Sequence, residues 1–324
     1  MQYYYSWILD QVTALKDRSQ PFFTFAHLAD LTHNNFWAAG KADQPLHQLL
    51  SELVRRGIIQ NTFIFLLADH GIRFGRMRRT RSGQMEERLP FFYLFVPEGN
   101  IQKQTENANH RQSPAEQLRA TLRANAHRLT SHFDLHATLR HIVEKKAPTT
   151  DDEPYGRSLF TPIPPDRTCE SAGISEKWCL CSQFDSWRGG KEEAKAILGH
   201  FVAGQVNLLL GGEPKCAQLQ LDQVEEVLIR TEPLSADGSD LFTVQAVLEP
   251  GGGLFDATLR VDNSSLLRLN HAESLLPAKV PHIHLIGDIS RLNAYGNQSA
   301  CIDDSILEKY CFCITSNLDL NQAI

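Results

Sequence analysis

The sequence contains no run approaching the roughly 18 consecutive apolar residues that span a bilayer, so the chain as it stands is expected to be soluble. It also shows no basic leader and no small-residue cleavage site. The opening Met1-Gln2-Tyr3-Tyr4-Tyr5-Ser6-Trp7-Ile8-Leu9-Asp10 reads instead as the first turns of an amphipathic helix. Basic charge is not in excess: a formal net charge of −6 and an isoelectric point near 6.1 argue against a nucleic-acid partner. Internal repeats and low-complexity tracts are missing, which excludes a repeat architecture. Cysteine is absent from the first 168 residues; all seven lie between Cys169 and Cys313.

What is present is ordinary globular material. In 324 residues, 42% hydrophobic and 22% charged, there is room for two domains and a sizeable core. The cysteines cluster, notably as Cys179-Leu180-Cys181 and Cys311-Phe312-Cys313, and clustering points to disulfides made in an oxidising compartment. The alternative is a cytosolic zinc site built from those two pairs; structural zinc sites usually space a pair by two to four residues, which disfavours it. Asn263-Ser264-Ser265 and Asn297-Gln298-Ser299 have the form of glycosylation acceptors and fall in the same half. Together these features predict a protein of the secretory lumen or the extracellular space. Its targeting segment, and any membrane anchor, would be encoded upstream of this chain. The disulfide pairing stays open, since six paired cysteines allow 15 connectivities.

Hydrophobic periodicity organises the chain. Residues 1–18 look helical and Pro21 ends that helix; residues 22–28 read as an aromatic strand, and residues 45–54 as a helix with Leu46, Leu49, Leu50 and Leu53 on one face. The apolar run at 63–68 and the proline-bounded run at 89–97 read as buried strands, with an aperiodic basic segment at 72–88 between them. Helices follow at 116–129 and 132–144, the second opened by a capping region at Ser131 to Asp134, and a loop rich in proline and acids runs from 148 to 165. A long amphipathic helix at 191–210 stops at Gly211-Gly212 and precedes three alternating segments at 217–230, 241–248 and 254–261. The order predicts an α/β first domain over 1–165, a cysteine-containing linker over 166–190, and a small α+β domain over 191–324. In that last domain a helix lies across an antiparallel sheet and a cysteine-rich tail closes the chain.

Chemistry concentrates at Asp69-His70-Gly71. Six apolar residues lead into it, so the carboxylate and the imidazole emerge where a buried strand stops, which in an open α/β sheet is the ligand-binding edge. A hard oxygen beside an imidazole nitrogen suits a divalent metal such as zinc or manganese, and the glycine permits a sharp turn. In a parallel sheet His33, just past the first strand, would face the same edge and could donate to an oxyanion or ligate a second metal. Arg73, Arg76, Arg78, Arg79 and Arg81 form either a solvated loop or an anion-binding rim, since guanidinium groups match sulfate and phosphate oxygens bidentately.

The block Asp69-His70-Gly71-Ile72-Arg73-Phe74-Gly75, followed by Thr80, Gly83 and Glu86-Glu87-Arg88-Leu89-Pro90, resembles the animal proteins of domain-of-unknown-function family 229. The likeness continues through Leu31-Thr32-His33-Asn34, Asp134-Leu135-His136-Ala137-Thr138-Leu139, Gly156-Arg157-Ser158-Leu159, the Trp178 to Cys181 segment and Ser290 to Cys313. That family is placed in the alkaline phosphatase and sulfatase superfamily. The resemblance implies a partial alkaline-phosphatase-like α/β/α sandwich in the first domain. It implies that Asp69 and His70 are the downstream ligands of a divalent metal (zinc, manganese or calcium), and that His33 touches the oxygens of a sulfate or phosphate ester, which could sit on a glycan. Arg73 is a candidate for anion contact, Arg88 for a structural ion pair, and His136 for a structural role. Members of the superfamily carry a further metal-binding aspartate and a Ser, Thr or modified Cys nucleophile well upstream of the Asp-His pair. Here only 68 residues precede Asp69, so the chain is expected to hold two of about four metal ligands and no nucleophile. Three functions therefore compete: a part of a metal-dependent hydrolase or transferase, inactive by itself; a non-catalytic secreted or lumenal binding protein; and a cytosolic zinc-bound adaptor that uses the cysteine pairs and would keep reactive thiols.

Overall fold

A computed structural model describes residues 2–33, 36–73, 75–97, 114–188, 191–231, 238–262 and 282–314. They form two compact units. The first is Met1–Ile72 with Leu89–Gly173; the second is Arg73–Arg88 with Ile174–Ile324.

The first unit opens with helix α1 (Gln2–Asp17), whose Ile8, Leu9 and Val12 fall on one face by helical spacing and pack with Leu53 and Ile58. Leu53 comes from α3 (Asp43–Arg55), reached through the short α2 (Ala29–Thr32). Arg56, just past α3, donates to the Thr13 hydroxyl at 3.0 Å and fixes the helix pair. Strand β1 (Ile64–Leu67) follows. The chain then contributes residues 73–88 to the second unit, including α4 (Arg81–Arg88), and returns to β2 (Phe92–Phe95). β1 and β2 pair antiparallel, Ile64 opposite Phe95 and Leu67 opposite Phe92. Helices α5 (Pro114–Asn125) and α6 (His132–Glu144) complete the unit. A capping box starts α6: Ser131 N–H donates to the Asp134 carboxylate at 2.7 Å, and that buried carboxylate also receives a two-pronged contact from Arg167 at 2.8 and 2.9 Å.

In the second unit α7 (Glu192–Leu210) lies on a five-stranded antiparallel sheet, in the order β3 (Phe184–Ser186), β4 (Gln220–Arg230), β5 (Ser239–Glu249), β6 (Gly253–Asp262), β7 (Ile283–Arg291). Ala194, Leu198, Val202, Val206 and Leu210 of α7 meet Phe242, Val244, Ala246 and Leu248 of β5 and Phe255, Ala257 and Leu259 of β6 in one core. Gly199 lets the helix approach the sheet: a Cβ there would lie 2.6 Å from the Val224 side chain.

Alternating with these core residues, Thr243 and Gln245 of β5 and Asp256 and Thr258 of β6 are polar and also buried. Glu226, Gln245, Asp256 and Ser290 stand in one cross-strand row. Residues 77–88 and Lys177 bring opposing charge to that row: Arg78 pairs with Asp256 at 3.4 Å and with Glu87, Arg79 pairs with Glu225, and Lys177 donates to the Ser290 hydroxyl at 2.9 Å. The Arg78, Glu87 and Asp256 side chains are at most 2% exposed.

Cys216 is bonded to Cys311 and Cys301 to Cys313; Cys169 and Cys179 are also in disulfide linkage, and Cys181 is an exposed thiol. Among the described residues no helix is long and apolar enough to cross a membrane.

Helices and strands mix as the α/β reading requires, and the helix-on-antiparallel-sheet domain is present with its expected segments. Three expectations need correction. Residues 22–28 form no strand: Phe22 packs against the cluster of α1 and α3, but Phe23 and Phe25 are 76% and 78% exposed. The expected parallel sheet is, among the described residues of the first unit, one antiparallel pair. Residues 77–88 are helical turns rather than open loop, because Arg78 and Glu87 face the polar row of the sheet. The Asn263 acceptor, Asn34 and Phe74 lie outside the described residues, while Asn297 is exposed in the turn Gly296–Ser299.

Candidate metal centre

The β1–β2 ladder ends with Ala68 N–H donating to the Phe91 carbonyl at 3.1 Å, and Asp69 and His70 emerge directly beyond it. Local hydrogen bonds then orient both side chains. His70 N–H donates to Asp69 Oδ1 at 2.9 Å, which leaves Oδ2 facing His70 Nε2 at 3.5 Å. His70 Nδ1 lies 2.6 Å from the Gly71 carbonyl oxygen. A carbonyl can only accept, so Nδ1 carries the proton and the neutral ring keeps its lone pair on Nε2. The Asp69 side chain is 67% exposed and that of His70 35% exposed, so both reach solvent at the strand end.

This arrangement fits a divalent ion. Two ligands each about 2.1 Å from a tetrahedral ion are separated by about 3.4 Å, close to the 3.5 Å between Oδ2 and Nε2. The Nδ1–H···O=C bond is the outer contact that fixes the tautomer of a metal-binding histidine. Among the described residues no third His, Cys, Asp or Glu groups with this pair at ligand spacing; the groups of three that do occur are cysteines.

Partial burial raises the Asp69 pKa, but the His70 N–H bond and the electrostatic influence of the His70 and His27 rings outweigh it and hold the carboxyl below its usual value of 3.8. His27 was not singled out by sequence reasoning. Its ring stacks on Phe25 with centroids 6.3 Å apart, and the one available signal was its place at the end of an apolar run, the same kind of position that Asp69 occupies.

The other predicted residues are distributed over both units. His33 follows α2 in the first unit and is exposed. Arg73 is the first residue of the second unit and is exposed, as are Arg76 and Arg81. Arg78 and Arg79 are committed to carboxylates inside the second unit, so they hold the segment to its sheet and do not form an anion rim. Arg88 stacks over Trp178 at 5.7 Å. Burial pushes the Glu87 carboxyl up and the Arg88 guanidinium down. His136 contacts Glu153 at 2.7 Å, on the far side of α6 from the buried Asp134.

A family model described as "Protein of unknown function (DUF229)" matches residues 2–225. No curated protein and no solved structure matches the chain.

Proposed function

The chain belongs to the DUF229 family, and from that premise we propose that Asp69 and His70 are metal ligands in a sulfatase- or phosphatase-like hydrolase or transferase. The observation that carries this reading is the 3.5 Å separation of Oδ2 and Nε2, with His70 Nδ1 engaged by the Gly71 carbonyl. The ion would be zinc, manganese or calcium, and the substrate a sulfate or phosphate ester, including one carried on a glycan. A bound divalent ion would neutralise ester oxygens and favour a deprotonated nucleophile. The side chains have narrower tasks. Asp69 and His70 hold the ion, while the exposed His33 imidazole of the same unit is assigned to the equatorial oxygens of the ester.

The described residues supply two ligands, whereas catalytic centres use three or more. The chain alone is therefore expected to bind the ion weakly and to leave esters intact. That count also supports the second reading, in which this chain serves as a non-catalytic binding protein of the secretory lumen or extracellular space. The disulfides favour such a compartment for both readings.

Calorimetric titration of the purified chain with zinc and manganese tests the metal assignment. Asp69→Asn and His70→Gln are each expected to lower affinity on the order of 10-fold or more; unchanged affinity in both variants would remove the site. Turnover of p-nitrophenyl sulfate or p-nitrophenyl phosphate by the isolated chain, abolished in those variants, would overturn the expectation of inactivity and leave the metal assignment standing.

A further inference from the structure

Four cysteines of the second unit gather where the segment after α7 meets residues 296–301 and 310–314. Cys216 is bonded to Cys311 and Cys301 to Cys313, with Cα separations of 5.2 and 5.8 Å. The two bridges touch. Cys301 Sγ lies 3.9 Å from Cys311 Sγ, which belongs to the other bridge.

The remaining two cysteines also face each other. Cys216 and Cys313 form an isolated antiparallel β-bridge. Its flanking hydrogen bonds run from Ala217 N–H to the Phe312 carbonyl at 2.8 Å and from Ile314 N–H to the Lys215 carbonyl at 2.9 Å. Bonds placed one residue to either side make Cys216 and Cys313 a non-hydrogen-bonded pair, whose Cα atoms sit about 4.5 Å apart. That separation is within the range a disulfide spans. Each of the four cysteines is thus held against a second partner as well as the one it is bonded to.

We propose that these four cysteines are an exchange-competent cluster, in which a small thiol converts the pairing Cys216–Cys311 with Cys301–Cys313 into Cys216–Cys313 with Cys301–Cys311. The thiolate attacks Cys313 Sγ, a mixed disulfide forms, and Cys301 leaves as a thiolate. Cys301 Sγ then attacks Cys311 Sγ across the 3.9 Å gap, and the Cys311–Cys216 bond breaks with Cys216 as the leaving thiolate. Cys216 attacks Cys313 in the mixed disulfide, forms the Cys216–Cys313 bond and releases the small thiol. Two disulfides are present before and after, no net oxidation occurs, and the thiol is a catalyst. The attacked bridge is the more accessible one: Cys301 and Cys313 are partly exposed, whereas Cys311 is fully buried. The exchange changes which residue of the 310–314 segment is tied to the segment after α7, Cys311 in one form and Cys313 in the other.

Non-reducing peptide mapping of the native protein tests this, because cleavage after Phe312 separates Cys311 from Cys313 and cleavage after Lys309 separates Cys301 from both. Before treatment, Cys216–Cys311 and Cys301–Cys313 are expected. After incubation with substoichiometric reduced glutathione and acid quenching, Cys216–Cys313 and Cys301–Cys311 should appear beside them. Persistence of the first pairing alone would overturn the proposal, and so would equal recovery of the third connectivity, Cys216–Cys301 with Cys311–Cys313, which signals scrambling of an unfolded chain. The double variant Cys216→Ser with Cys313→Ser gives an independent reading. A Cys301–Cys311 bridge is expected to form in it, and both thiols remaining open to alkylation in a natively folded variant would count against the cluster.

Discussion

Asp69 illustrates how little sequence is needed to shape a candidate ligand pair. One main-chain N–H takes one carboxylate oxygen and one carbonyl takes one ring nitrogen, and the atoms left over face each other. The His27 ring, more than forty residues earlier in the chain, adds a minor share to the influences that lower the Asp69 pKa. Replacing His27 with Gln should raise the Asp69 midpoint toward 3.8, read from the carboxyl carbon shift in an NMR pH titration; an unmoved midpoint would show that His27 exerts no field there. The sign of the linkage follows. With its folded pKa below the unfolded value, Asp69 contributes stability above the unfolded pKa and loses it as pH falls through the folded one. Glu87 runs the other way, since burial raises its pKa and the folded state gains stability as Glu87 takes up its proton. Arg78→Met should cost about 3–5 kcal/mol in denaturant unfolding, because it removes the cation paired with the buried Glu87 and Asp256. A loss below about 1 kcal/mol would mean that these carboxylates are stabilised by other groups.

At the scale of elements, legibility tracked periodicity. The helices at 43–55, 132–144 and 192–210 and the three long strands carry clear 3.6- or 2-residue patterns and lie within a few residues of their expected places. The helix at 29–32 and the strands at 184–186 and 283–291 were not legible, and two further segments were misread. The aromatic run at 22–28 has strand composition without strand partners, and hydrogen-bond pairing is a property of the neighbour, not of the run. The turns at 77–88 have no apolar period because their burial is ionic, and one partner of Arg78, Asp256, is 178 residues away. For the same reason the alternation in β5 revealed one buried face but not the cover on its polar face. Gly199 offers a sharp test of how closely α7 lies on the sheet. Gly199→Ala should destabilise the second unit by about 1–3 kcal/mol, since its Cβ meets the Val224 side chain; a neutral or stabilising result, as helix propensity alone would give, would show a looser contact.

Across the whole molecule, sequence carried the family and the candidate ligands further than it carried geometry. The Asp-His-Gly block and the Glu-Glu-Arg-Leu-Pro block are contiguous, so they can be read directly, and the family match spans both. Disulfide pairing depends on distances between segments as far as 95 residues apart, and no local pattern encodes it. The same holds for the passage of residues 73–88 into the second unit, which leaves the five arginines with different tasks: Arg78 and Arg79 serve the fold, and Arg73 remains an exposed candidate for anion contact. Whether Asp69 and His70 hold a metal together is tested most directly by zinc X-ray absorption on the loaded chain. A first shell with one imidazole nitrogen and carboxylate oxygen at about 2.0–2.2 Å, losing its imidazole signature in His70→Gln, is the predicted result. A sulfur shell at about 2.3 Å, or a spectrum unchanged by that substitution, would contradict it.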